Sequence, residues 1–378
     1  MKIVFILPKE GTQPIGGFKV VYEYANGLAE RKHEVHVVHT ASLFAQGEAG
    51  VARRLLASFR YLPYAIRDDW KPDPWFNLHK SVRLHWIPWL AQAFLPKADA
   101  YIATWWVTAE HLNAMHSLRG KRFYLLQHLE TWSGPEKQVL ETWKMPFEKI
   151  VIARWLQKIG ADLGEDCHYI PNGLDFTRFG CDRPPEQRSP ARIAMLFNNH
   201  VKWKGSKDGV AAAKLLKNRH PELEFELYGV QSRPDSLPSW MLYHQEPPQD
   251  ELRRLYNRAA IFLAPSHSEG WGLPPSEAMM SGAAVVATDI GGHQEFCVHE
   301  QNALLVPAEQ PERMAEAAGR LIEDQAIRIR LAKNGNESIQ RFTWKAAVDA
   351  FEKLLLESKN KPHASTGRHG APALIGGG

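Results

Sequence analysis

The sequence predicts an α/β protein made of two domains, each built around a parallel sheet. With 378 residues, the chain is too long for one ordinary hydrophobic core. Its first part runs from a buried strand, Met1–Leu7, through a helix, Phe18–Glu30, to a second strand, Glu34–Val38. This order of elements favours parallel pairing of the strands. The same alternation begins again at Ile193–Phe197, which indicates a second sheet and a second domain.

The first domain continues the alternation of strands and helices. A strand at Asp99–Thr104 precedes a helix at Val107–Leu118, and a further strand follows at Arg122–Leu126. Lys149–Ala153 is the next predicted strand, and a helix at Arg154–Leu163 follows it. Open α/β sheets bind ligands beyond the carboxyl ends of such strands, so we expect functional residues there.

Two segments of the first domain are candidates for ligand contact. Gly16 and Gly17 precede the first helix, where a glycine turn lets backbone amides approach a phosphate or sugar. Gln127 and His128 directly follow the strand at Arg122–Leu126. A dinucleotide fingerprint fits the glycine turn poorly, because GxGxxG is absent and no acidic residue ends the second strand.

The stretch Val51–Trp70 is basic and rich in aromatic residues, and two interpretations of it stay open. Either it rests on an anionic membrane surface, or it packs on the first domain with its arginines in solvent. The arginines concerned are Arg53, Arg54, Arg60 and Arg67.

Charge and cysteine content exclude several classes of protein. The net charge of +4 suits anionic substrates or an acidic membrane face, and it is too weak to indicate nucleic-acid binding. Three scattered cysteines form neither a disulfide framework nor a metal-binding pattern, which predicts a reduced, cytosolic setting. No apolar run reaches the length of a membrane span, and the N-terminus lacks a signal-peptide pattern.

The second domain repeats the α/β pattern with short connections. Its predicted helices are Asp208–Arg219, Asp250–Asn257, Pro274–Met280 and the stretch from Pro311 to Ile339. Its predicted strands after the first are Leu223–Tyr228, Ala260–Ala264, Ala283–Thr288 and Ala303–Val306. Asp182–Pro190 is polar and proline-rich, which is typical of a linker edge.

The most informative stretch is Glu269-Gly-Trp-Gly-Leu-Pro-Pro-Ser-Glu277, where two carboxylates bracket a glycine-rich turn and a helix start. Gly270 and Gly272 remove side chains from the turn, so that backbone amides can approach a ligand. The helix start adds unpaired N–H groups and a partial positive charge. Together these features predict an anion site, and a diphosphate fits it best. Carboxylates on either side of it suit hydroxyl groups at both ends of a nucleotide sugar.

This stretch resembles the E-x7-E signature of the retaining GT-B glycosyltransferases of the family 4 type. Pro171–Asp175 is similar to that family's connection between domains, and Lys204-Gly205 is similar to its KG pair. The resemblance extends over residues 1–358 and implies a GT-B fold, in which two Rossmann-like α/β domains face each other across a cleft.

The resemblance also implies domain boundaries. Residues 1–168 form the acceptor-side domain and residues 169–342 the nucleotide-sugar-binding domain. A C-terminal helix at 343–358 packs back on the first domain. The glycine-rich residues 359–378 have little to bury and are expected to form a disordered tail.

Within the family, the lysine of the KG pair binds the donor's phosphates, while the second glutamate of the signature holds the ribose and the first orients the sugar. The catalytic candidates are therefore Glu269, Lys204 and His128. The substrate-binding candidates are Gly16, Gly17, Gln127, Asn198, Lys202, Gly270, Trp271, Gly272, Leu273 and Glu277. Asn198 stands where the family usually has an arginine. Either Lys202 supplies the missing charge, or the leaving group is less stabilised; whether Gln127 or His128 contacts the donor stays open.

The expected activity is transfer of a hexosyl group, rhamnosyl being one option, from a nucleoside diphosphate sugar with retention at the anomeric carbon. The resemblance implies no cofactor and no metal. The acceptor would be a saccharide, a lipid-linked compound or a small molecule. The expected setting is the cytoplasm, with peripheral contact at the inner face of the cell membrane as an option and no nucleic-acid partner.

Other functions remain compatible with the sequence. A sugar-nucleotide-binding protein without transferase activity would follow if the missing arginine is decisive. A GT-B phosphorylase or synthase would require phosphate or a free sugar. A dinucleotide-dependent oxidoreductase also uses paired α/β domains, but its glycine fingerprint is missing.

Overall fold

The chain forms two parallel sheets flanked by helices, as the alternation of strands and helices predicts. The structure is a computed structural model that describes residues 1–43, 59 and 61–360. The first sheet has seven strands and the second has six, and every pairing between neighbouring strands is parallel.

The first sheet has the strand order β3-β2-β1-β4-β5-β6-β7. Its strands are β1 (Lys2–Leu7), β2 (Glu34–Thr40), β3 (Arg83–Ile87), β4 (Ala100–Ala103), β5 (Lys121–Leu126), β6 (Glu148–Val151) and β7 (Cys167–Tyr169). The helices that accompany it are α1 (Gly16–Glu30), α2 (61–67), α3 (Trp106–Ala114), α4 (Glu136–Trp143) and α5 (Arg154–Asp162).

The second sheet has the strand order β10-β9-β8-β11-β12-β13. Its strands are β8 (Arg192–Leu196), β9 (Glu224–Gly229), β10 (Met241–Gln245), β11 (Ile261–Ala264), β12 (Ala284–Thr288) and β13 (Leu304–Val306). The following helices are α6 (Ser206–Arg219), α7 (Gln249–Arg258), α8 (Leu273–Met280), α9 (Pro311–Glu323), α10 (Gln325–Ile339) and α11 (Trp344–Asn360).

The order of strands reverses between β8 and β11, and this reversal positions the candidate site. The loops after these two strands leave the same edge of the sheet side by side. Such a reversal opens a crevice at the carboxyl ends of the strands. The two loops are 197–205, which holds Asn198, Lys202 and Lys204, and 265–272, which holds Glu269.

The last helix, α11, lies against α1 of the first domain. The ring of Phe351 lies 4.5 Å from that of Tyr24, centroid to centroid, and Arg31 forms an ion pair with Glu352 at 2.7 Å. α11 runs to Asn360, two residues into the stretch expected to be a disordered tail. The remainder of that stretch, 361–378, lies outside the described residues.

Arg188 corrects the expectation that Asp182–Pro190 is only a linker edge. Its guanidinium group is 3% exposed and donates to the carbonyl oxygens of Tyr256 and Ala259 at 3.1 and 2.9 Å, and also to that of Ser281. These carbonyls belong to the ends of α7 and α8, where the intrahelical acceptors run out. The buried arginine thus fixes the C-terminus of the helix whose N-terminus faces the candidate site.

The sequence pattern does not predict β3, β7, β10 and α4. The three strands lie at sheet edges and are only partly buried, so they lack the continuous apolar run of a central parallel strand. In the basic, aromatic-rich segment, Arg53, Arg54 and Arg60 lie outside the described residues. Among the helices that are described, none is both long and apolar enough to cross a bilayer.

Candidate functional site at the junction of the domains

The N-terminus of α8 begins at a glycine that the backbone requires. Gly272 has a φ of 104°, in the left-handed region, and a Cβ there would lie 2.8 Å from Cδ2 of His293. Pro274 and Pro275 follow in the first turn, where an amide would have no intrahelical partner. The helix starts at Leu273, one residue before the predicted start.

Two helix N-termini meet at this place. α1 begins at Gly16, and a Cβ on Gly16 would lie 3.7 Å from Cδ1 of Leu273, the first residue of α8. Among the described residues, no side chain caps either N-terminus. Both helices therefore direct positive dipole ends toward the junction, where α1 offers the amides of Gly16 and Gly17 and α8, with prolines at its second and third positions, offers that of Leu273; this favours an anion there.

Glu269 and Lys204 form the ion pair at the centre of the site. Nζ of Lys204 lies 2.8 Å from Oε1 and 2.9 Å from Oε2 of Glu269, and Ser266 Oγ donates to Oε1 at 2.8 Å. The side chain of Glu269 is 13% exposed. Burial by itself would raise the pKa of Glu269, but the charge and hydrogen bonds of Lys204 outweigh it and hold the pKa below its usual value. Glu269 is thus a carboxylate at neutral pH.

The loop that carries Lys204 is joined directly to the loop that carries Glu269. The amide of His267 donates to the carbonyl oxygen of Trp203 at 2.7 Å. Gly205 has a φ of 61°, and a Cβ there would overlap the carbonyl oxygen of Pro265. The glycine of the KG pair therefore allows the two loops to touch, which brings lysine and glutamate together.

Asn198 and Lys202 lie in the loop that carries Lys204. Oδ1 of Asn198 accepts hydrogen bonds from the amides of His200 and Val201, both at 3.1 Å. Asn198 thereby shapes the turn before Lys204. Lys202 is exposed. Among the described residues, Lys202 forms no ion pair with Glu269 or Glu277, so whether it supplies the missing charge stays a prediction.

Glu277 is already held by two partners that the sequence did not reveal. Its carboxylate is buried, with Oε2 accepting from Tyr256 Oη at 3.1 Å and Oε1 lying 3.0 Å from Nζ of Lys19. Lys19 belongs to α1 of the first domain, so this ion pair joins the two domains. The position of Lys19, about one helical turn after Gly16 and Gly17, is the sequence signal that could have indicated a role at this site.

The loop after β5 brings the first domain to the site. Gln127 Nε2 donates to the carbonyl oxygen of Gly17 at 3.1 Å, and His128 Nε2 lies 3.1 Å from Ser268 Oγ of the second domain. Nδ1 of His128 accepts from the amide of Glu130 at 3.3 Å, so Nε2 carries the proton and donates to Ser268. Burial lowers the pKa of His128 to about 4, and of the smaller effects, that of Glu269 raises the pKa and that of Lys204 lowers it further. The imidazole is therefore neutral near pH 7.

Gly270 and Trp271 have positions that differ from the expected ligand contacts. A Cβ on Gly270 would overlap the carbonyl oxygen of Gln127, so this glycine is needed for the approach of the first domain. The side chain of Trp271 is 2% exposed and packs 4.9 Å from the ring of Phe342. Trp271 is therefore a core residue: its side chain is buried behind the loop that carries the signature.

Further contacts close the junction around these residues. Trp155 Nε1 donates to the carbonyl oxygen of Gly270 at 3.1 Å. Glu295 of the second domain accepts from the amide of Arg154, at the start of α5, and from Tyr169 Oη at 2.8 Å. Glu295 lies outside the signature, and its place three residues after the pair Gly291-Gly292 is the sequence signal that could have indicated it.

Glu130 is a buried acid beside His128, and it provides a test of the local electrostatics. Its Oε2 accepts from the amide of Trp106 at 2.9 Å, and burial raises the pKa of Glu130 to about 8. The folded chain thus keeps a proton that the unfolded chain releases near pH 4.5, so this site loses stability as pH rises from about 4.5 to about 8.

Glu130→Gln mimics the protonated acid and removes this dependence. We expect the wild type to lose stability relative to the variant between pH 5 and pH 8, by at most ~1.4 kcal/mol per pH unit. Thermal unfolding of both proteins at the two pH values measures the difference. Parallel pH profiles would show that Glu130 is ionised in the folded chain.

The structure thus brings Gly16, Gly17, Gln127, His128, Lys204, Glu269, Gly270, Gly272, Leu273 and Glu277 to one junction. Lys202 and the side chain of Trp271 are not part of it, and Asn198 contributes only through its turn. Within the described part of the chain, no group of three or more His, Cys, Asp or Glu residues is arranged to hold a metal ion.

The second domain is similar in sequence to known glycosyl transferases. Residues 183–338 match the family model of glycosyl transferases group 1. A D-inositol 3-phosphate glycosyltransferase of Corynebacterium jeikeium is 29% identical over 214 residues, which cover 50% of this chain and 51% of that protein. The O-antigen biosynthesis protein RfbC of Myxococcus xanthus is 27% identical over 72% of this chain and 22% of its own length. The chain thus spans about half or less of the length of these relatives.

Solved structures show the likeness over both domains. Sucrose-phosphate synthase of Thermosynechococcus elongatus superimposes with a TM-score of 0.71 at 16% identity, over 94% of this chain and 98% of its own. Anabaena HepE, solved with UDP-glucose, gives a TM-score of 0.70 at 16% identity, over 94% and 100%. At this identity the likeness establishes the fold alone. The predicted fold class, two Rossmann-like domains in the GT-B arrangement, is confirmed.

Proposed function

We propose that the chain transfers a hexosyl group from a nucleoside diphosphate sugar to an acceptor hydroxyl, as a retaining glycosyltransferase of the family 4 type. The observation that carries this proposal is the partly buried Glu269–Lys204 ion pair beside the uncapped N-terminus of α8. A carboxylate for hydroxyls, a cation and a helix N-terminus for phosphates are what such a donor requires. The group 1 match of residues 183–338 supports the same reaction class.

The free hydrogen-bonding capacity of the pair suits a sugar diphosphate. An ammonium group has three donors, and Lys204 uses two of them on the oxygens of Glu269. The third is available for an oxygen of the diphosphate, whose negative charge grows as the sugar leaves. Oε1 of Glu269 accepts from both Lys204 and Ser266, whereas Oε2 keeps a lone pair for a sugar hydroxyl.

Retention at the anomeric carbon follows, in this proposal, from attack by the acceptor on the face that the diphosphate leaves. The departing oxygen would then take the acceptor's proton, and the diphosphate stays bound to Lys204 and to the amides of Gly272 and Leu273. Neutral His128, with its proton on Nε2, would donate to a sugar hydroxyl once Ser268 gives way. No covalent intermediate on the protein is needed.

The names of similar proteins suggest classes of donor and acceptor for this proposal. HepE was solved with UDP-glucose and the corynebacterial relative is named for inositol 3-phosphate, so UDP-sugars and phosphorylated polyols are first candidates. A saccharide, glycolipid or other small molecule remains an acceptor class, and rhamnosyl remains one option for the transferred group. No cofactor or metal is proposed.

Release of nucleoside diphosphate tests this function. Purified chain would be incubated with UDP-, GDP-, dTDP- and ADP-sugars, with and without saccharide, glycolipid and inositol-phosphate acceptors. We expect one donor to release its diphosphate faster with an acceptor. Tight binding of a donor without turnover would favour the alternative of a binding protein, and dependence on inorganic phosphate or a free sugar would favour a phosphorylase or synthase.

We also propose that α2 provides peripheral contact with an anionic membrane that carries the acceptor. Leu62 and Ile66 of α2 are 50% and 79% exposed and are four residues apart, so they share one helix face, with the exposed Arg67 beside Ile66; Phe59, just before α2, is 73% exposed. Leu62→Glu with Ile66→Glu should lower binding to phosphatidylglycerol vesicles at least about tenfold in a sedimentation assay. Leu242→Glu, a similarly exposed leucine of the second domain, is the control. Equal binding by the α2 variant and wild type would contradict this contact.

A further inference from the structure

Lys19 is the one lysine of the first domain that reaches the junction in the described residues, and it forms an ion pair there. Its Nζ lies 3.0 Å from Oε1 of Glu277, and the two side chains are only 17% and 10% exposed. The same ammonium group lies 5.7 Å from the ring centroid of Phe179. Lys19 therefore sits one turn into α1 while its charge lies against α8.

The charges at the junction show why this lysine matters. Lys204 pairs with Glu269, and Lys19 pairs with Glu277, so each of the two glutamates of the signature has its own lysine. Without Lys19 the two carboxylates would face a single cation. Asn198 is neutral and Lys202 is exposed, so neither restores the balance. A polyanionic diphosphate would then meet a site of net negative charge, which Coulomb repulsion disfavours.

We propose that Lys19 is a phosphate-binding residue of the donor site, and that donor binding transfers its ammonium group from Glu277 to the diphosphate. Glu277 lies about one turn, or ~5.4 Å, beyond the start of α8, a distance that a lysine side chain can span by changing rotamers. Oε1 of Glu277 would then accept from a ribose hydroxyl, while Tyr256 continues to donate to Oε2. This inference rests on the proposed function, because it assumes a nucleoside diphosphate as part of the donor.

The affinities for UDP and for uridine distinguish a phosphate-binding role of Lys19 from a purely structural one. Lys19 belongs to the first domain, so the affinity for the diphosphate would depend on both domains, whereas a nucleoside without phosphates would not engage Lys19. The contribution of Lys19 is therefore the amount by which its replacement reduces the difference in affinity between UDP and uridine. A lysine that only holds the domains together would affect the two ligands alike.

Calorimetric titration with UDP and with uridine measures this difference. We expect Lys19→Met to weaken UDP binding about tenfold, equivalent to ~1.4 kcal/mol, and to change uridine binding by less than about twofold. Lys19→Arg should recover most of the UDP affinity. Thermal unfolding of each variant verifies that it is folded, and GDP, ADP and dTDP replace UDP if the wild type prefers another base.

Lys202→Met is the matched comparison, since Lys202 was the other candidate for the second cation. The proposal is overturned if Lys202→Met, rather than Lys19→Met, weakens UDP binding. It is also overturned if Lys19→Met binds UDP like the wild type, or loses UDP and uridine equally. A wild-type chain that binds no nucleoside diphosphate at all would contradict the proposed function itself and this role with it.

Discussion

Replacing Glu269 with glutamine is expected to lower kcat/KM for transfer by about 100-fold, the usual size of an effect on a group that stabilises the transition state. Glutamine keeps the size of the side chain and one acceptor, so the loop can retain its shape. In the proposed mechanism it loses the negative charge beside the anomeric centre, where positive charge develops as the diphosphate leaves. We therefore expect kcat to fall more than the KM for the donor rises.

Initial rates at several donor concentrations measure this split. Glu222→Gln, at a glutamate whose side chain is 61% exposed on the second domain, is the control and should retain wild-type rates. Turnover within about twofold of wild type in folded Glu269→Gln would remove this residue from the proposed mechanism.

Replacing Lys204 with methionine is expected to affect both catalysis and stability. Loss of the cation should lower kcat/KM by about 100-fold, because the departing diphosphate loses a charged donor. It also leaves Glu269 buried without its partner, which costs about 3 kcal/mol in comparable cases. Lys207→Met, an exposed lysine of α6, is the control for both measurements.

The pH dependence of this variant has a defined sign. In the wild type, Lys204 depresses the pKa of Glu269, so the pair contributes stability that is lost as pH falls through that depressed pKa. In Lys204→Met we expect the pKa of Glu269 to rise, because burial is the largest effect and only the smaller lowering effects of His293 and Ser266 remain. The stability deficit should therefore shrink as the pH is lowered toward 4.5.

A double variant separates the two effects of Lys204→Met. Adding Glu269→Gln removes the unpaired charge, so Lys204→Met/Glu269→Gln should regain much of the lost stability and none of the lost activity. Thermal unfolding between pH 5 and pH 8, with initial rates at pH 7, tests both statements. If the double variant is no more stable than Lys204→Met alone, the instability does not arise from the unpaired carboxylate of Glu269.

Local patterns were sufficient to predict the central elements of both sheets and the turn into α8. Buried strands such as β1, β8 and β12 are continuous apolar runs, and Gly272 with two prolines marks a helix start whatever the rest of the chain does. The edge strands β3, β7 and β10 escaped prediction because their faces are partly exposed and their pairing depends on distant neighbours.

The candidate site was predictable where the functional residues lie close together in sequence. Glu269, Gly272 and Glu277 share one loop and one helix turn. Lys19 and Tyr256 could not be assigned to Glu277, because they reach it from α1 and α7 through the tertiary fold.

The surroundings of Gly270 and Trp271 could not be predicted from the sequence. Gly270 permits contact with the backbone of Gln127 in the other domain, and Trp271 fills the core behind the loop. A sequence motif specifies which residues are present, whereas the partner of each residue depends on how the two domains pack.

The most direct test of the account is a crystal structure of the chain with bound UDP. We expect diphosphate oxygens to lie within hydrogen-bond distance of the amides of Gly272 and Leu273 and of Nζ of Lys204, with a ribose hydroxyl on Glu277. A nucleotide bound to the first domain alone, or a diphosphate away from the N-terminus of α8, would contradict the proposed site.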